Sequence, residues 1–182
     1  EGVKRASDLV RTGKVYTLGV PTAPVDLFQI YGFRQALEEA GGGFEIVSQQ
    51  AAAYDPSKAN SITAAVLQQH PDLCAVFGIW DGMDAGAGAA VKEAGMADSV
   101  YVVTSGGAAQ ASCEKIKDDT YDMYISYDAR MQGAALNVQV AQLLQSDKPA
   151  NDNPVVYYTP NYRLTKDNLT PSSCWSFEEL EQ

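Results

Sequence analysis

Residues 73–79 read LCAVFGI, seven consecutive positions without a charged or strongly polar side chain. Successive side chains on a strand point to opposite faces. An uninterrupted apolar strand therefore needs cover on both faces, which is the situation of a parallel sheet sandwiched between helices. The rest of the chain fits that demand by alternating strand and helix signals. Strands are expected at 14–20, 44–50, 73–79, 99–104, 121–127 and 153–160. Helices are expected at 2–12, 26–40, 56–70, 83–94, 108–118 and 129–146. Pro21, Pro24, Pro56 and the glycines at 41–43 punctuate them. The predicted class is α/β, a doubly wound, mostly parallel sheet. A polar, proline-bearing link at 147–154 divides the chain into a body, 1–146, and a C-terminal strand and tail, 147–182.

Charge and composition remove several function classes. The net charge is −10, from 13 Lys+Arg against 23 Asp+Glu. Nucleic acid and anionic membrane surfaces both call for a basic face, so neither is an expected partner. The three cysteines form no Cys-x-x-Cys pair and there is one histidine, so no metal site of the Cys/His type is expected. With His70 alone, a nucleophile–histidine enzyme is not expected either. Gly86 and Gly88 fall inside a helix and not in the turn after a strand, so the dinucleotide fingerprint fails. They read as a close helix–sheet contact, and no cofactor is expected. Asp81 reads as a helix cap and Asp84 as a first-turn carboxylate that complements the dipole. No apolar run approaches the length of a membrane span. The N-terminus carries no charged-then-apolar leader, so the chain is expected to be cytoplasmic, or to have its export signal outside this sequence.

Ligands of doubly wound sheets bind at the carboxyl ends of strands. Three large aromatics, Tyr54, Trp80 and Tyr127, fall at or just beyond three such ends. Aromatics at loop mouths expose apolar surface that calls for a ligand or a partner to cover it.

Residues 31–182 resemble the C-terminal part of periplasmic sugar-binding proteins of ABC transporters, of the ribose-binding type. The resemblance rests on YGFRQALEEAG (31–41), AAYDPSKA (52–59), HPDLCAVFGIWDGMDAGAGAAVKEAG (70–95), VYVVTSGG (100–107) and YRLTKDNL (162–169), in that order and spacing. It implies a single lobe of a periplasmic-binding-protein-like fold, with 147–182 as the crossing strand and tail. It also implies a small solute, a membrane permease as partner and a periplasmic location. Five family pocket positions fall at Gln29, Tyr54, Trp80, Gly106 and Tyr127; only the aromatic at Tyr54 is retained. With Asp81 these form the expected ligand site, more aromatic and less charged than a pentose site. Gln29, Tyr54, Trp80, Asp81 and Tyr127 are expected to share one concavity. The family's first lobe has no counterpart in this sequence, so a second lobe or a homodimer is expected to meet the rim. An alternative is a sensory or protein-interaction lobe that has lost small-molecule binding. The apolar residues of helix 129–146 are expected to dock on its own sheet or on another copy. In an oxidising compartment Cys113 and Cys174 are expected to pair, leaving Cys74 as a buried thiol.

Overall fold

A computed structural model describes residues 13–19, 23–41, 43–147, 149 and 156–180. The helix expected at 2–12 lies outside them. The elements are β1 (Lys14–Gly19), α1 (Pro24–Glu39), β2 (Glu45–Ala51), α2 (Pro56–Gln69), β3 (Ala75–Phe77), α3 (Asp81–Glu93), β4 (Tyr101–Gly106), α4 (Gln110–Lys117), β5 (Met123–Ser126), α5 (Ala129–Gln145), β6 (Tyr162–Leu164) and α6 (Phe177–Leu180). The sheet order is β2-β1-β3-β4-β5-β6. The first five strands are parallel, and β6 closes one edge antiparallel to β5.

Helix boundaries follow local chemistry. Pro24 opens α1, where the missing N–H is no loss. Gly41, at φ 89°, closes it in the left-handed conformation. Asp55 caps α2 by accepting from the N–H groups of Ser57 (2.8 Å) and Lys58 (3.1 Å). The buried face of α2 is Ala59, Thr63, Val66 and Leu67, a helical stripe.

The assigned strand β3 is shorter than 73–79, yet the whole segment is buried. Backbone bonds continue past its ends, from Cys74 N–H to the Lys14 carbonyl and from Gly78 N–H to the Val103 carbonyl, both 2.8 Å. Each apolar side chain fully buried there contributes roughly 1.5–3 kcal/mol. Alternation along β3 and β4 sorts the two faces. Phe77 meets α1, where it stacks on Phe33 at 4.2 Å. Thr104 faces α3, where it donates to Asp84 at 2.5 Å.

Four expectations are corrected. The last strand among the described residues is Tyr162–Leu164; of the span 153–160, residues 156–160 carry no strand and 153–155 lie outside the described residues. Val156, Tyr157 and Tyr158 are strongly exposed and unassigned to any strand; β-propensity without a neighbouring strand makes no ladder. Gly86 and Gly88 admit other chain segments and not the sheet. A Cβ on Gly86 would stand 1.8 Å from the Pro56 carbonyl oxygen of α2, and one on Gly88 2.4 Å from that of Thr120. The N-cap of α3 is Trp80, and Asp81 is its first helical residue. Finally, of the two docking sites expected for α5, its own sheet is not used, since none of its residues is buried; docking on another copy of the chain stays the expectation. Its start is fixed by Asp128, at φ 46°, whose carboxylate accepts from Met131 N–H at 3.1 Å.

The tail is stitched to the body. Cys113 and Cys174 form a disulfide with Cα atoms 6.1 Å apart. Trp175 donates its indole N–H to the Gly107 carbonyl (2.8 Å) and its backbone N–H to the Ala108 carbonyl (3.0 Å). Cys74 is buried and unpaired with another cysteine.

Candidate functional site

A cavity of about 800 Å³ lies between the inner side of α1 and the sheet, from the carboxyl ends of β3, β4 and β5 down the sheet face to Val103 and Met123. Ile79, Ser105 and Tyr127 rise from or just beyond the strands, and Asp26 and Gln29 descend from α1. Tyr54 and Trp80, from the loops after β2 and β3, also line it. So do Gln132 of α5 and Asn161 beside β6. Most of the remaining lining is apolar, and no Lys or Arg lines the cavity among the described residues.

Four expected residues meet here: Gln29, Tyr54, Trp80 and Tyr127. Two do not. Asp81 turns the other way, accepting from Ser112 Oγ (2.5 Å) and Tyr124 OH (2.7 Å). Gly106 lies above that cluster, and a Cβ on it would stand 2.3 Å from Tyr124 OH. The glycine is required because the Asp81–Tyr124 pair fills its space. As the first residue of α3, Asp81 faces α4 and β5 instead of the cavity mouth.

The aromatic rim is held from several sides. Tyr54 meets Trp80 edge to face at 5.5 Å and donates its hydroxyl to Asp26 at 3.3 Å. Ala53 and Tyr54 both adopt positive φ, 54° and 62°. Non-glycine residues adopt this region at a cost, and such strain concentrates at functional sites. The backbone N–H of Trp80 donates to Asp84 at 2.9 Å. The six-membered part of its indole lies against Gly82, where a Cβ would stand 2.5 Å from the ring. Ser105 Oγ donates to the Ile79 carbonyl at 2.6 Å and stands 3.1 Å from the Gln29 amide oxygen.

Apart from the buried Asp26 carboxyl, the described cavity lining consists of neutral groups. Burial pushes the Tyr127 hydroxyl up, with the Asp81 carboxylate adding to it. Loss of solvent and the Asp26 carboxylate raise Tyr54. Both phenols therefore stay protonated donors at neutral pH. Asp84 is fully buried, and desolvation raises its carboxyl well above the usual range. Its Oδ1 has no hydrogen-bond partner.

Sequence reasoning did not find Asp26, Ser105, Gln132 or Asn161 as cavity residues, nor Asp84 as the support of Trp80. A polar residue two positions into a helix looks the same whether it faces water or a cavity. Only tertiary placement separates these. Gly82, directly after Trp80-Asp81, carried the one local signal, a missing side chain beside a large ring.

The model for the periplasmic binding protein domain matches residues 3–148. A D-ribose/D-allose-binding protein of Pseudomonas aeruginosa is 34% identical over 143 residues, 78% of this chain and 44% of the relative. An ABC transporter periplasmic solute-binding protein from Actinobacillus succinogenes 130z, solved with D-allose, superposes with a TM-score of 0.73 at 24% identity, covering 91% of this chain and 59% of the other. A solute-binding protein from Bacillus halodurans C-125, solved with myo-inositol, gives a TM-score of 0.73 at 26% identity, covering 92% and 57%. The chain thus spans less than half of the curated relative and under two thirds of these solved structures.

Proposed function

The chain belongs to the periplasmic binding protein domain family, whose members here are solute-binding proteins and not enzymes, and on that premise we propose that it is the solute-capturing lobe of an ABC-type uptake system. Its ligand is a small neutral solute, sugar-like or polar and aromatic. Residues 1–146 act as the binding lobe, and 147–182 as the crossing strand and tail. Capture takes place in the periplasm, at the rim formed by Gln29, Tyr54, Trp80 and Tyr127. A second surface, a further lobe or another copy, closes over the rim, and the closed form is presented to a membrane permease. Ligand contacts to both surfaces supply the closure energy.

One observation carries this reading. Four residues placed far apart in sequence, at positions matching the family's pocket, line one cavity at the carboxyl edge of the sheet. The lack of Lys and Arg there supports a neutral solute over an anion. The test is a thermal-shift and calorimetric screen of the whole chain against D-ribose, D-allose, D-fucose, myo-inositol and nucleosides. A saturable shift with at least one of them, abolished in a Trp80→Ala Tyr127→Ala double variant, is expected. No response to any member contradicts capture and favours the interaction-lobe alternative.

A further inference from the structure

Trp80 stands where the ribose-binding resemblance places an asparagine, and its surroundings are built to hold an indole. Gly82 beneath it leaves no room for a side chain, with a hypothetical Cβ 2.5 Å from the ring. Tyr54 braces it edge to face at 5.5 Å. Asp84, from the following helix turn, fixes its backbone N–H at 2.9 Å. Despite these three supports Trp80 as a residue remains 37% exposed, and it lines the cavity. A large aromatic held rigidly and left open is a stacking surface in search of a flat partner. Ordering costs are already met, so binding to it loses little side-chain freedom.

We infer that Trp80 is a preformed platform that selects a solute carrying a planar heteroaromatic ring, a nucleobase or nucleoside, over a simple monosaccharide. This rests on the solute-capture reading above. A monosaccharide site discriminates through charged, bidentate hydrogen bonds to hydroxyls. Beside one carboxyl, that of Asp26, whose Oδ2 accepts from Tyr54, this lining offers the amides of Gln29, Gln132 and Asn161. Amide side chains match the donor–acceptor edge of a base, and aromatic rings stack on its face. With no Lys or Arg in the described lining, a phosphate finds no pairing group, so the nucleoside and not the nucleotide is the fitting form.

The experiment compares adenosine, D-ribose and adenosine 5′-monophosphate by calorimetry and tryptophan fluorescence on the full chain. The sugar is common to all three, so the comparison isolates the base and the phosphate. Adenosine is expected to bind at least about tenfold tighter than D-ribose, to quench Trp80, and to outcompete the nucleotide. Trp80→Ala is expected to weaken adenosine about 5- to 150-fold, the range for loss of one base–aromatic stack. Trp80→Phe, which keeps a ring and the fold, should hold affinity within a few-fold while the quench disappears. Gly82→Ala displaces the indole without removing it and should also weaken adenosine. Tighter or equal binding of D-ribose, or adenosine affinity indifferent to Trp80→Ala, overturns the inference and leaves solute capture standing. Binding of none of the three, together with silence in the wider solute screen, overturns both.

Discussion

At the residue scale, Asp84 concentrates the tension between stability and site geometry. It is buried, has one oxygen without a partner, and uses the other to hold Trp80 and Thr104. Burial raises its folded-state pKa above the unfolded value. The folded protein therefore keeps a proton that the unfolded chain releases. The associated stability is whole below the ordinary carboxylate pKa and is lost as pH rises toward the folded-state value. Asp84→Asn keeps an acceptor for both donors and removes the ionisation. The variant should melt with the parent near pH 4 and above it at pH 7, as scanning calorimetry at the two pH values reads. A parent that gains on the variant as pH rises would show an ionised, stabilising carboxylate instead. The Gly78 contact belongs to the same place. A Cβ there would stand 2.1 Å from the Asp84 carboxyl, so Gly78→Ala is expected to destabilise by about 1–3 kcal/mol. Combining it with Asp84→Ala should recover part of that loss in urea titrations. None of this was legible in the sequence. Asp84 reads as an ordinary first-turn carboxylate, because the burial that changes its chemistry comes from β4 and the Gly78 backbone. Tyr54, Trp80 and Tyr127 were legible, since a large apolar ring at a strand end is informative wherever the loop goes.

At the element scale, the tail and α5 behave in opposite ways. The tail is held by the Cys113–Cys174 bridge, with a sequence separation of 61, and by Trp175 on the loop after β4. A loop of that size confers up to about 4 kcal/mol by chain entropy, less in practice. Cys174→Ser should therefore lower stability by roughly 2–4 kcal/mol in denaturant unfolding. Thiol counting on the unfolded, unreduced parent should find one free thiol, Cys74; three would refute the bridge. By contrast α5 exposes Leu136, Val138, Val140, Leu143 and Leu144. Its amide hydrogens should exchange orders of magnitude faster than those of β4 unless a second surface covers it. Slow exchange along α5 in a monodisperse monomer would show that it docks within the chain. The sequence pattern identified α5 as a helix correctly, because its apolar positions recur at helical spacing. The pattern carries no information on what that face meets. The same limit misplaced the last strand: VVYY has strand propensity, whereas YRL has β5 beside it.

At the scale of the whole molecule, the apolar run 73–79 did what its composition demanded. It lies buried at the centre of a parallel sheet, between β1 and β4. The fold class and the location of the rim follow from that one requirement plus the alternation around it; the strand order does not, and comes from the structure alone. What did not follow was which rim residues turn inward, because Asp81 and Gly106 are decided by packing against Tyr124 across the sheet. The account stands on the claim that solute is captured at this rim. An amide-resolved NMR titration of the full chain with D-ribose, D-allose, myo-inositol and adenosine tests it most directly. Saturable shifts from at least one solute, confined to Gln29, Tyr54, Trp80, Ser105 and Tyr127 and their neighbours, are the expected result. Shifts centred on the outer face of α1 or on α5, or no shift with any of the four, would contradict it.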